Sequence, residues 1–381
     1  MSLSDFGFLV QNFAELLDWR YVVMWAIGGI LIFLAIKYEM EPTLLLPLGF
    51  GTILVNIPFS GAVDRLFDGK LQEGALSTLY KAGIENELFP LILFIGIGAM
   101  IDFGPLLSNP KLMIFGAAAQ FGIFMTFSFA ALLGFDIKDA ASIGIIGAAD
   151  GPTSIFVAQY LNSKYIGAIM VAAYSYMALV PIVQPPVIKL LTTKNERLIK
   201  MPYKPRQISK TTKILFPIII TMITGIISPR SVALIGFLMF GNLIRECGVL
   251  DSLSDTAQKV LANLVTLFLG ITIATKMQAE QFLSKETLLI IFLGLFAFVF
   301  DTAGGVIFAK IINVFLPKDK KINPMIGAAG ISAFPMSARV VHKMGLKEDP
   351  QNFLLMHSIG VNVSGQIASV IAGGLILNLV G

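Results

Sequence analysis

Long apolar stretches, almost free of charge, recur along the chain with short polar connections between them. Hydrophobic residues make up 56% of the 381 residues and charged residues only 14%, whereas a soluble domain carries about 25% charged residues. The apolar stretches cover residues 21–37, 43–59, 88–104, 110–134, 141–160, 165–190, 214–228, 231–245, 260–275, 286–316, 324–341 and 352–380. Several approach the ~20 residues that cross a bilayer as a helix. A polytopic membrane protein is therefore a better interpretation than a soluble protein with a large core.

Cysteine and histidine are scarce, with one cysteine, Cys247, and two histidines in the whole chain. A single cysteine excludes an intrachain disulfide and a thiolate metal cluster. So few histidines also argue against zinc or haem, and we expect no transition-metal site. The sequence lacks a Walker A loop, a GxGxxG motif after a strand and a serine-triad pattern. Any energy for transport must therefore come from an ion gradient or from the chemistry of a partner.

One long polar segment, residues 191–213, lies near the middle of the chain and contains seven basic residues against one acid, Glu196. Loops rich in Lys and Arg stay on the cytoplasmic side of a membrane. We predict a cytoplasmic linker that sets the orientation of the protein, in preference to a lipid or nucleic-acid site. The predicted organisation is an N-terminal membrane repeat (1–195), a basic cytoplasmic linker (196–213) and a C-terminal membrane repeat (214–381).

The sequences on the two sides of this linker resemble one another in three places, in the same order. The pairs are PLGFGTILVN (47–56) with LIGFLMFGNLI (234–244), LFIGIGAMIDF (93–103) with LFLGITIAT (267–275), and IGAA (146–149) with IGAA (326–329). A single match between Gly- and Ala-rich helices can arise by chance, but three ordered matches indicate an internal repeat. Both copies of IGAA are soon followed by a small polar residue and a proline, which predicts a helix break in each half.

Paired repeats with interrupted helices are typical of membrane transporters whose ion site lies near the bilayer midplane. Non-helical backbone at that depth is tolerated only where protein or a water-filled cavity satisfies it. The predicted fold is an all-α polytopic membrane protein with two repeats, inverted relative to one another. Its discontinuous helices cross near the midplane, in a transporter-like core with a scaffold.

The first break is centred on Asp150, the one charge in the segment SIGIIGAADGPTSIFVAQ. Gly151 permits unusual backbone angles and Pro152 has no N–H, so the helix must stop here. An ionisable residue inside the membrane is a functional candidate, and a carboxylate beside freed carbonyls can bind Na⁺ or a proton. The alternative is that Asp150 only caps the helix that follows, and the two roles are compatible.

The second break runs from Asn323-Pro324 through Ser332 to Arg339. Asn323 and Ser332 offer neutral oxygens suited to a monovalent cation. Arg339 either contacts an anionic group or extends its side chain to the membrane interface. Asp301 is a second intramembrane acid without a counterpart in the other half, and we keep it as a reserve candidate.

Three segments together resemble one known family: GAADGPTSIF (147–156), NPMIGAAGISAFPMSARVV (323–341) and NFLLMHSIGVNVSGQIASVIAGG (352–374). The chain is similar to the β subunit of biotin-dependent sodium-pumping decarboxylases, which include methylmalonyl-CoA, glutaconyl-CoA and oxaloacetate decarboxylases. The resemblance covers essentially the whole chain from about residue 20. It implies that a subunit of this kind, in the membrane of a prokaryote, decarboxylates carboxybiotin and couples this to Na⁺ export with consumption of a proton.

The resemblance also implies roles for particular residues. Those implied for catalysis and coupling are Asp150, Tyr176, Ser332 and Arg339; those implied for Na⁺ binding are Asp150, Asn323, Gly327, Ser332 and Asn362. The cofactors implied are Na⁺ and carboxybiotin supplied by a partner.

The partners implied are a soluble carboxyltransferase α subunit, a biotin carrier protein and a small single-span γ or δ membrane subunit. A homo-oligomer is also expected, and nucleic acid is not. Two other functions stay open at this point. One is a self-contained Na⁺/H⁺ or Na⁺-coupled carboxylate transporter, and the other is a membrane anchor without an ion site, against which Asp150 argues.

Overall fold

The computed structural model describes residues 18–67, 70–203 and 207–381. Before the linker the elements are α1 (Trp19–Lys37), α2 (Pro42–Val55), β1 (Arg65–Phe67), β2 (Lys70–Gln72), α3 (Ala75–Tyr80), α4 (Leu88–Met100), α5 (Gly104–Ser108), α6 (Met113–Ala119), α7 (Phe121–Leu132), α8 (Ile137–Gly144), α9 (Gly151–Tyr160) and α10 (Ile166–Leu191). The linker segment contains α11 (Lys194–Arg197) and the start of α12 (Lys210–Ile227). The elements that follow are α13 (Val232–Glu246), α14 (Asp251–Asp255), α15 (Ala262–Ile273), α16 (Ala279–Phe282), α17 (Lys285–Phe315), α18 (Met336–Glu348) and α19 (Leu355–Val380).

Seven helical segments in the described part of the chain are long and apolar enough to cross a membrane. They are Trp19–Lys37, Pro110–Leu132, Ile166–Leu191, Lys210–Ile227, Asp251–Lys276, Lys285–Phe315 and Leu355–Val380. An eighth candidate is a bent pair, Ala75–Glu85 with Leu88–Met100, whose two parts meet at 62°. The prediction of an all-α polytopic membrane protein is confirmed. The one β element among the described residues is a short antiparallel hairpin in which Arg65 pairs with Gln72.

The two halves of the chain contain similar elements in a similar order. Each has a rare π-helical turn near the start of its third long helical segment, at Lys81–Glu85 and at Thr256–Leu261. Each then has a long helical segment, an interrupted helix and a final helix of 26 residues, α10 and α19. This order supports the predicted repeat. The repeat and its inversion stay predictions.

The described residues form two compact units, and one of them comprises those within 1–89 and 263–289. Within it α1 and α2 approach so closely that a Cβ added to Gly28 would lie 2.7 Å from the carbonyl oxygen of Gly49. The side chain of Asn56 donates to the Met277 carbonyl and accepts from the Ala279 N–H, each at 2.8 Å. These bonds satisfy backbone groups at the turn after residue 276, which otherwise lack partners.

The other compact unit comprises residues 90–262 and 290–381 and contains both predicted breaks. Its innermost span is α19, which packs against α5, α6, α9 and α18. Of the apolar window of α19, 67% is buried inside the protein, against 11% for α12. The small residues of α19 permit this close packing, and the helix therefore presents side chains to the two breaks.

The described part of the basic linker is tied to the C-terminal half within this second unit. The Nε of Arg197 lies 2.7 Å from a carboxylate oxygen of Glu348, and the Arg197 carbonyl accepts from the side chains of Asn323 and Asn352. Lys200 pairs with Asp349 at 2.8 Å, and this hydrogen bond holds the pKa of the Asp349 carboxyl below its usual value. The linker residues 204–206 lie outside the described residues.

Candidate functional site

The first break separates α8 from α9. After α8 the chain forms a tight 3₁₀ turn, Ile145–Ala148, and then Ala149 adopts the left-handed conformation with φ 50°. A positive φ is uncommon for a residue other than glycine. Asp150 follows in an extended conformation, and α9 begins at Gly151 with Pro152 in its first turn. The helix is therefore interrupted at the place that the Asp-Gly-Pro sequence predicts.

Asp150 is 3% exposed and uses both carboxylate oxygens. Oδ1 accepts from the Thr153 N–H at 3.3 Å, so Asp150 is the N-cap of α9. Oδ2 accepts from the Thr153 hydroxyl at 2.7 Å and from the Ser369 hydroxyl of α19 at 3.1 Å. No lysine, arginine or histidine of the described chain forms an ion pair with it. A buried carboxylate thus meets hydroxyl and amide donors only.

The second break meets the first. It contains a 3₁₀ turn, Pro324–Gly330, and then an irregular stretch from Ile331 to the cis peptide before Pro335. The Ser332 N–H donates to the Ala148 carbonyl across the two breaks at 2.9 Å. Freed backbone groups of each interruption therefore satisfy one another, as backbone at membrane depth requires.

One face of α19 lies against both breaks. Asn362, Gly365, Gln366 and Ser369 share that face because they are three or four residues apart. The Asn362 amide nitrogen donates to the carbonyls of Ala329 and Ile331 at 3.1 and 2.7 Å. Gly365 and Gln366 both bond to Ser332. The Ser332 hydroxyl donates to the Gly365 carbonyl at 3.1 Å, and Gln366 Nε2 donates to the Ser332 carbonyl.

Asn362 Oδ1, Gln366 Oε1 and the Tyr174 hydroxyl are among the buried oxygens of α10 and α19 that have no hydrogen-bond partner in the described part of the chain. A buried polar atom without a partner costs about 1–3 kcal/mol, so each of these oxygens needs a partner that the chain does not supply, such as water or an ion. The donation by both amide nitrogens to carbonyls fixes the orientation that leaves the two amide oxygens free. One carboxylate with neutral oxygens and unwound carbonyls is a donor set that suits a monovalent cation.

The two tyrosines of α10 occupy different surroundings. Tyr176, the tyrosine that the resemblance indicated, donates its hydroxyl to the Ile291 carbonyl of α17. Its ring lies beside Gly294 and Ile146. Tyr174 lies beside the first break, because a Cβ added to Gly151 would overlap its ring. The structure thus brings Tyr174, and not the Tyr176 hydroxyl, next to the residue that follows Asp150.

Three other candidates of the second break lie apart from the hydrogen bonds of Asp150. The Asn323 side chain caps the 3₁₀ turn through the Met325 N–H and donates to the carbonyls of Arg197 and Ile199. Gly327 packs backbone to backbone against Gly305 of α17, with no room for a Cβ. Arg339 is exposed on α18. Of the predicted residues, the structure brings Asp150, Ser332 and Asn362 into one network with α19.

Asp301 is fully buried on α17 and lies on the other side of the first break. Its Oδ1 accepts from the Ile123 N–H at 3.0 Å, where α7 begins after the interruption at Gln120. Its Oδ2 has no hydrogen-bond partner, and a Cβ added to Gly147 would lie 2.7 Å from it. Asp301 therefore caps α7 and contacts the 3₁₀ turn that leads into Asp150.

Sequence reasoning missed Thr153, Ser369, Gln366 and Tyr174. Ser369 and Gln366 had a usable signal, because they lie seven and four residues after Asn362 and so share its face on a helix. Thr153 is the capping partner expected three residues after an N-cap. Tyr174 had no signal in the sequence, since two tyrosines two residues apart on a helix do not face the same way.

The geometry agrees with a comparison to known protein families. The family model of the Na⁺-transporting oxaloacetate decarboxylase β subunit matches residues 20–380. The chain belongs to this family. It is 49% identical over 375 residues to the methylmalonyl-CoA decarboxylase β subunit of Veillonella parvula, with 98% of this chain and 95% of the relative covered.

β subunits of decarboxylases named for other acids are nearly as similar to this chain. The glutaconyl-CoA decarboxylase β subunit of Acidaminococcus fermentans is 47% identical over 379 residues, with 100% of this chain and 96% of the relative covered. The oxaloacetate decarboxylase β chain of Klebsiella pneumoniae is 44% identical over 412 residues, with 94% of each covered. The seven candidate spans and these bacterial relatives identify a multi-pass prokaryotic membrane protein, a β subunit of the sodium-transporting decarboxylases.

Proposed function

We propose that this chain couples the decarboxylation of a carboxylated biotin carrier to the export of Na⁺, with consumption of a proton. The observation that supports this most is the buried Asp150 carboxylate, surrounded by neutral oxygens where two interrupted helices meet α19. A membrane anchor has no use for such a site. The family matched by residues 20–380 transports Na⁺ with a decarboxylation reaction.

Na⁺ is the transported substrate in this proposal, and the ligand oxygens come from this chain. Asp150 supplies the negative charge, and Asn362 Oδ1 and Gln366 Oε1 supply neutral oxygens that have no other partner. The Ser332 hydroxyl already donates to the Gly365 carbonyl, so its own lone pairs are free to face a cation. Carbonyls freed by the breaks complete the shell, because unwound backbone can replace the hydration of an ion.

Asp150 gives the exchange its physical basis. A carboxylate that binds Na⁺ must be ionised, and the same carboxylate with a proton no longer attracts the cation. Decarboxylation of the carboxylated carrier breaks an N–C bond, releases CO₂ and adds one proton to the nitrogen. If that proton comes from Asp150, each turnover returns the carboxylate to its Na⁺-binding form. Arg339, exposed on α18, is the group of the second break suited to the carboxylate of the substrate.

The chain acts in a multisubunit complex in this proposal. Its partners are a soluble carboxyltransferase α subunit, a biotin carrier protein and a single-span γ or δ subunit, and the complex contains more than one copy of the chain. The soluble subunits would determine which acid is used, because relatives of different acid specificity are similarly identical to this chain.

The proposal is tested with tagged protein purified in detergent from its own host. We expect a biotinylated protein to co-purify, and we expect CO₂ release from the carboxylated carrier to require Na⁺. The result against it is a chain that purifies without a biotinylated partner and exchanges Na⁺ for protons in vesicles alone. That result would identify a self-contained transporter.

A further inference from the structure

Helix α18 has a row of exposed basic residues. Arg339, Lys343 and Lys347 are each four residues apart and exposed, so they lie along one side of the helix, about 6 Å apart. The opposite side is buried and includes Val340, Val341 and Met344. We call these three cations the basic face of α18.

The basic face has no acidic partner in the described part of the chain. None of its three residues forms an ion pair. The nearest acids along the chain, Glu348 and Asp349, already pair with Arg197 and Lys200 of the linker. Like charges four residues apart on a helix destabilise it. The basic face is therefore complementary to an anion that this chain does not itself provide.

The basic face leads from the linker to the site. At its far end, Glu348 and Asn352 are bonded to Arg197, so this end lies beside the linker that we predict to be cytoplasmic. At its near end, α18 starts four residues after Ser332, which joins the two breaks. The distance covered by the helix between these ends is about 20 Å.

Helix α9, which follows the first break, has no basic face of this kind. In α9 every residue from Gly151 to Ala158 is buried, and none of them is charged. A cation exposed to hydrocarbon costs about 2.5–3.5 kcal/mol, so three in a row on α18 require water. The exposed side of α18 is therefore wet, whereas α9 is enclosed by protein.

We propose that the basic face of α18 is the path by which the anionic carboxylate of the carried substrate approaches the site from the linker side. This inference rests on the proposed function and adds Lys343 and Lys347 to it. The two lysines attract the carboxylate and pass it to Arg339 without taking part in the bond-breaking step. Attraction of this kind changes the encounter with substrate more than the chemistry at the site.

The test compares two double variants with the same loss of charge in the purified complex, with the carboxylated biotin carrier as substrate. Lys343→Gln with Lys347→Gln removes two charges of the basic face. Lys318→Gln with Lys320→Gln removes two exposed charges from the nearby turn before the second break. At fixed Na⁺ and low ionic strength, we expect the first pair to raise the KM for the carrier about three- to tenfold. The second pair should raise it less than twofold.

Three further results separate this role from a structural one. The rise in KM should disappear when choline chloride increases the ionic strength, because exposed charges are then screened. Lys343→Arg with Lys347→Arg should restore the wild-type KM, and the Na⁺ concentration for half-activation should stay the same in all these variants. Equal KM values for the two glutamine variants would overturn the proposal. A rise that occurs only in vesicles with anionic lipid would overturn it too, because the lysines would then bind headgroups.

These outcomes are distinct from failure of the proposed function. If the wild-type complex decarboxylates the carrier with Na⁺ dependence while the basic face has no effect on KM, the proposed function stands and the path is wrong. If the wild-type complex does not decarboxylate the carrier at all, both proposals are wrong.

Discussion

Asp150 is the N-cap of α9, and in the proposed function it is also a ligand of the cation. An ionised carboxylate offers about four lone-pair positions. The Thr153 N–H, the Thr153 hydroxyl and the Ser369 hydroxyl occupy three of them. One position is left for a cation, and the amide oxygens of Asn362 and Gln366, on the same face of α19 as Ser369, lack partners. The capping interpretation and the functional interpretation of Asp150 are therefore compatible at the level of single atoms.

Ser332→Ala tests the contribution of the second break to Na⁺ binding. Loss of one neutral ligand costs about 1–3 kcal/mol, so we expect the Na⁺ concentration for half-activation to rise by about fivefold to more than a hundredfold. Activity should recover at saturating Na⁺, because the exchangeable proton on Asp150 is retained. The measurement is the decarboxylation rate against Na⁺ concentration.

Ser364→Ala is the matched control, since Ser364 is also a buried serine and donates to the Leu112 and Val361 carbonyls. Its Na⁺ curve should match that of the wild type. An unmoved curve for Ser332→Ala would remove the second break from the sodium site. Its role would then be contact with the carried carboxylate, with Arg339 as the partner.

At the scale of residues, the sequence predicts those members of the candidate site whose residue type is unusual for a membrane segment. A lone aspartate before Gly-Pro in an apolar run is such a residue, and Asp150 lies in the site. Ordinary serines and glutamines of a transmembrane helix carry no such signal. The spacing of Ser369 and Gln366 puts them on the helix face of Asn362, but only the orientation of α19 shows that this face meets the breaks. Asn323 and Gly327 stand near the site in sequence, but their contacts are with the linker and with α17.

At the scale of helices, close backbone packing holds the breaks in place. Gly327 of the second break and Gly305 of α17 meet backbone to backbone, and neither has space for a Cβ. Gly365 of α19 approaches the Gly330 carbonyl in the same way. Small residues allow such approaches in membrane proteins. The position of Gly327 is thus explained by packing as well as by any contact with an ion.

Gly327→Ala separates these two explanations. The added methyl group overlaps the Gly305 backbone, and overpacking of this kind costs about 1–3 kcal/mol. We expect a lower melting temperature of the purified protein and a loss of activity that excess Na⁺ does not restore. Gly29→Ala, in α1, is the control, because a Cβ there meets nothing within 4 Å. Full recovery of Gly327→Ala at high Na⁺, with unchanged melting, would instead identify Gly327 as part of the sodium site.

The interruption at Gln120 was not predictable from the sequence, although it contacts the second break. Helix α6 ends at Ala119 and α7 begins at Phe121 within one continuous apolar run, without a proline near the junction. The amide of Gln120 donates to the Gly116 carbonyl, and Asp301 accepts from the Ile123 N–H. Tertiary contacts from α17, not local propensity, determine where this run is interrupted. The two breaks that contain proline were predictable, and this one, which has glycine but no proline nearby, was not.

At the scale of the whole molecule, compact units and sequence repeats divide the chain differently. The compact units combine 1–89 with 263–289 and 90–262 with 290–381, whereas the predicted repeats are 1–195 and 214–381. A repeat describes ancestry and a compact unit describes packing, so the two need not coincide. Each half contributes one break to the second unit. The repeats are visible in the sequence. The compact units depend on long-range packing, which the sequence does not show.

The predicted orientation is tested with a cysteine at Ser209, the N-cap of α12. In a Cys247→Ala background, Ser209→Cys should resist an impermeant thiol reagent in intact cells and react after the membrane is opened. The physical reason is the cost of translocating a loop with seven basic residues and one acid. Rapid labelling in intact cells would reverse the orientation and place the basic face of α18 on the outer side.

The central claim is that Asp150 binds the transported Na⁺. The most direct measurement is the uptake of radioactive Na⁺ by vesicles that contain the complete complex, driven by decarboxylation of the carrier. Asp139 provides the matched control, because it is another buried aspartate and its carboxylate accepts from Ser163 and from the Lys164 N–H. We predict no uptake and no Na⁺-stimulated decarboxylation by Asp150→Asn at any Na⁺ concentration, in protein that melts as the wild type does. Asp139→Asn should retain Na⁺-dependent uptake even where it lowers the melting temperature. Uptake by Asp150→Asn at a near-normal rate would contradict the assignment of the sodium site.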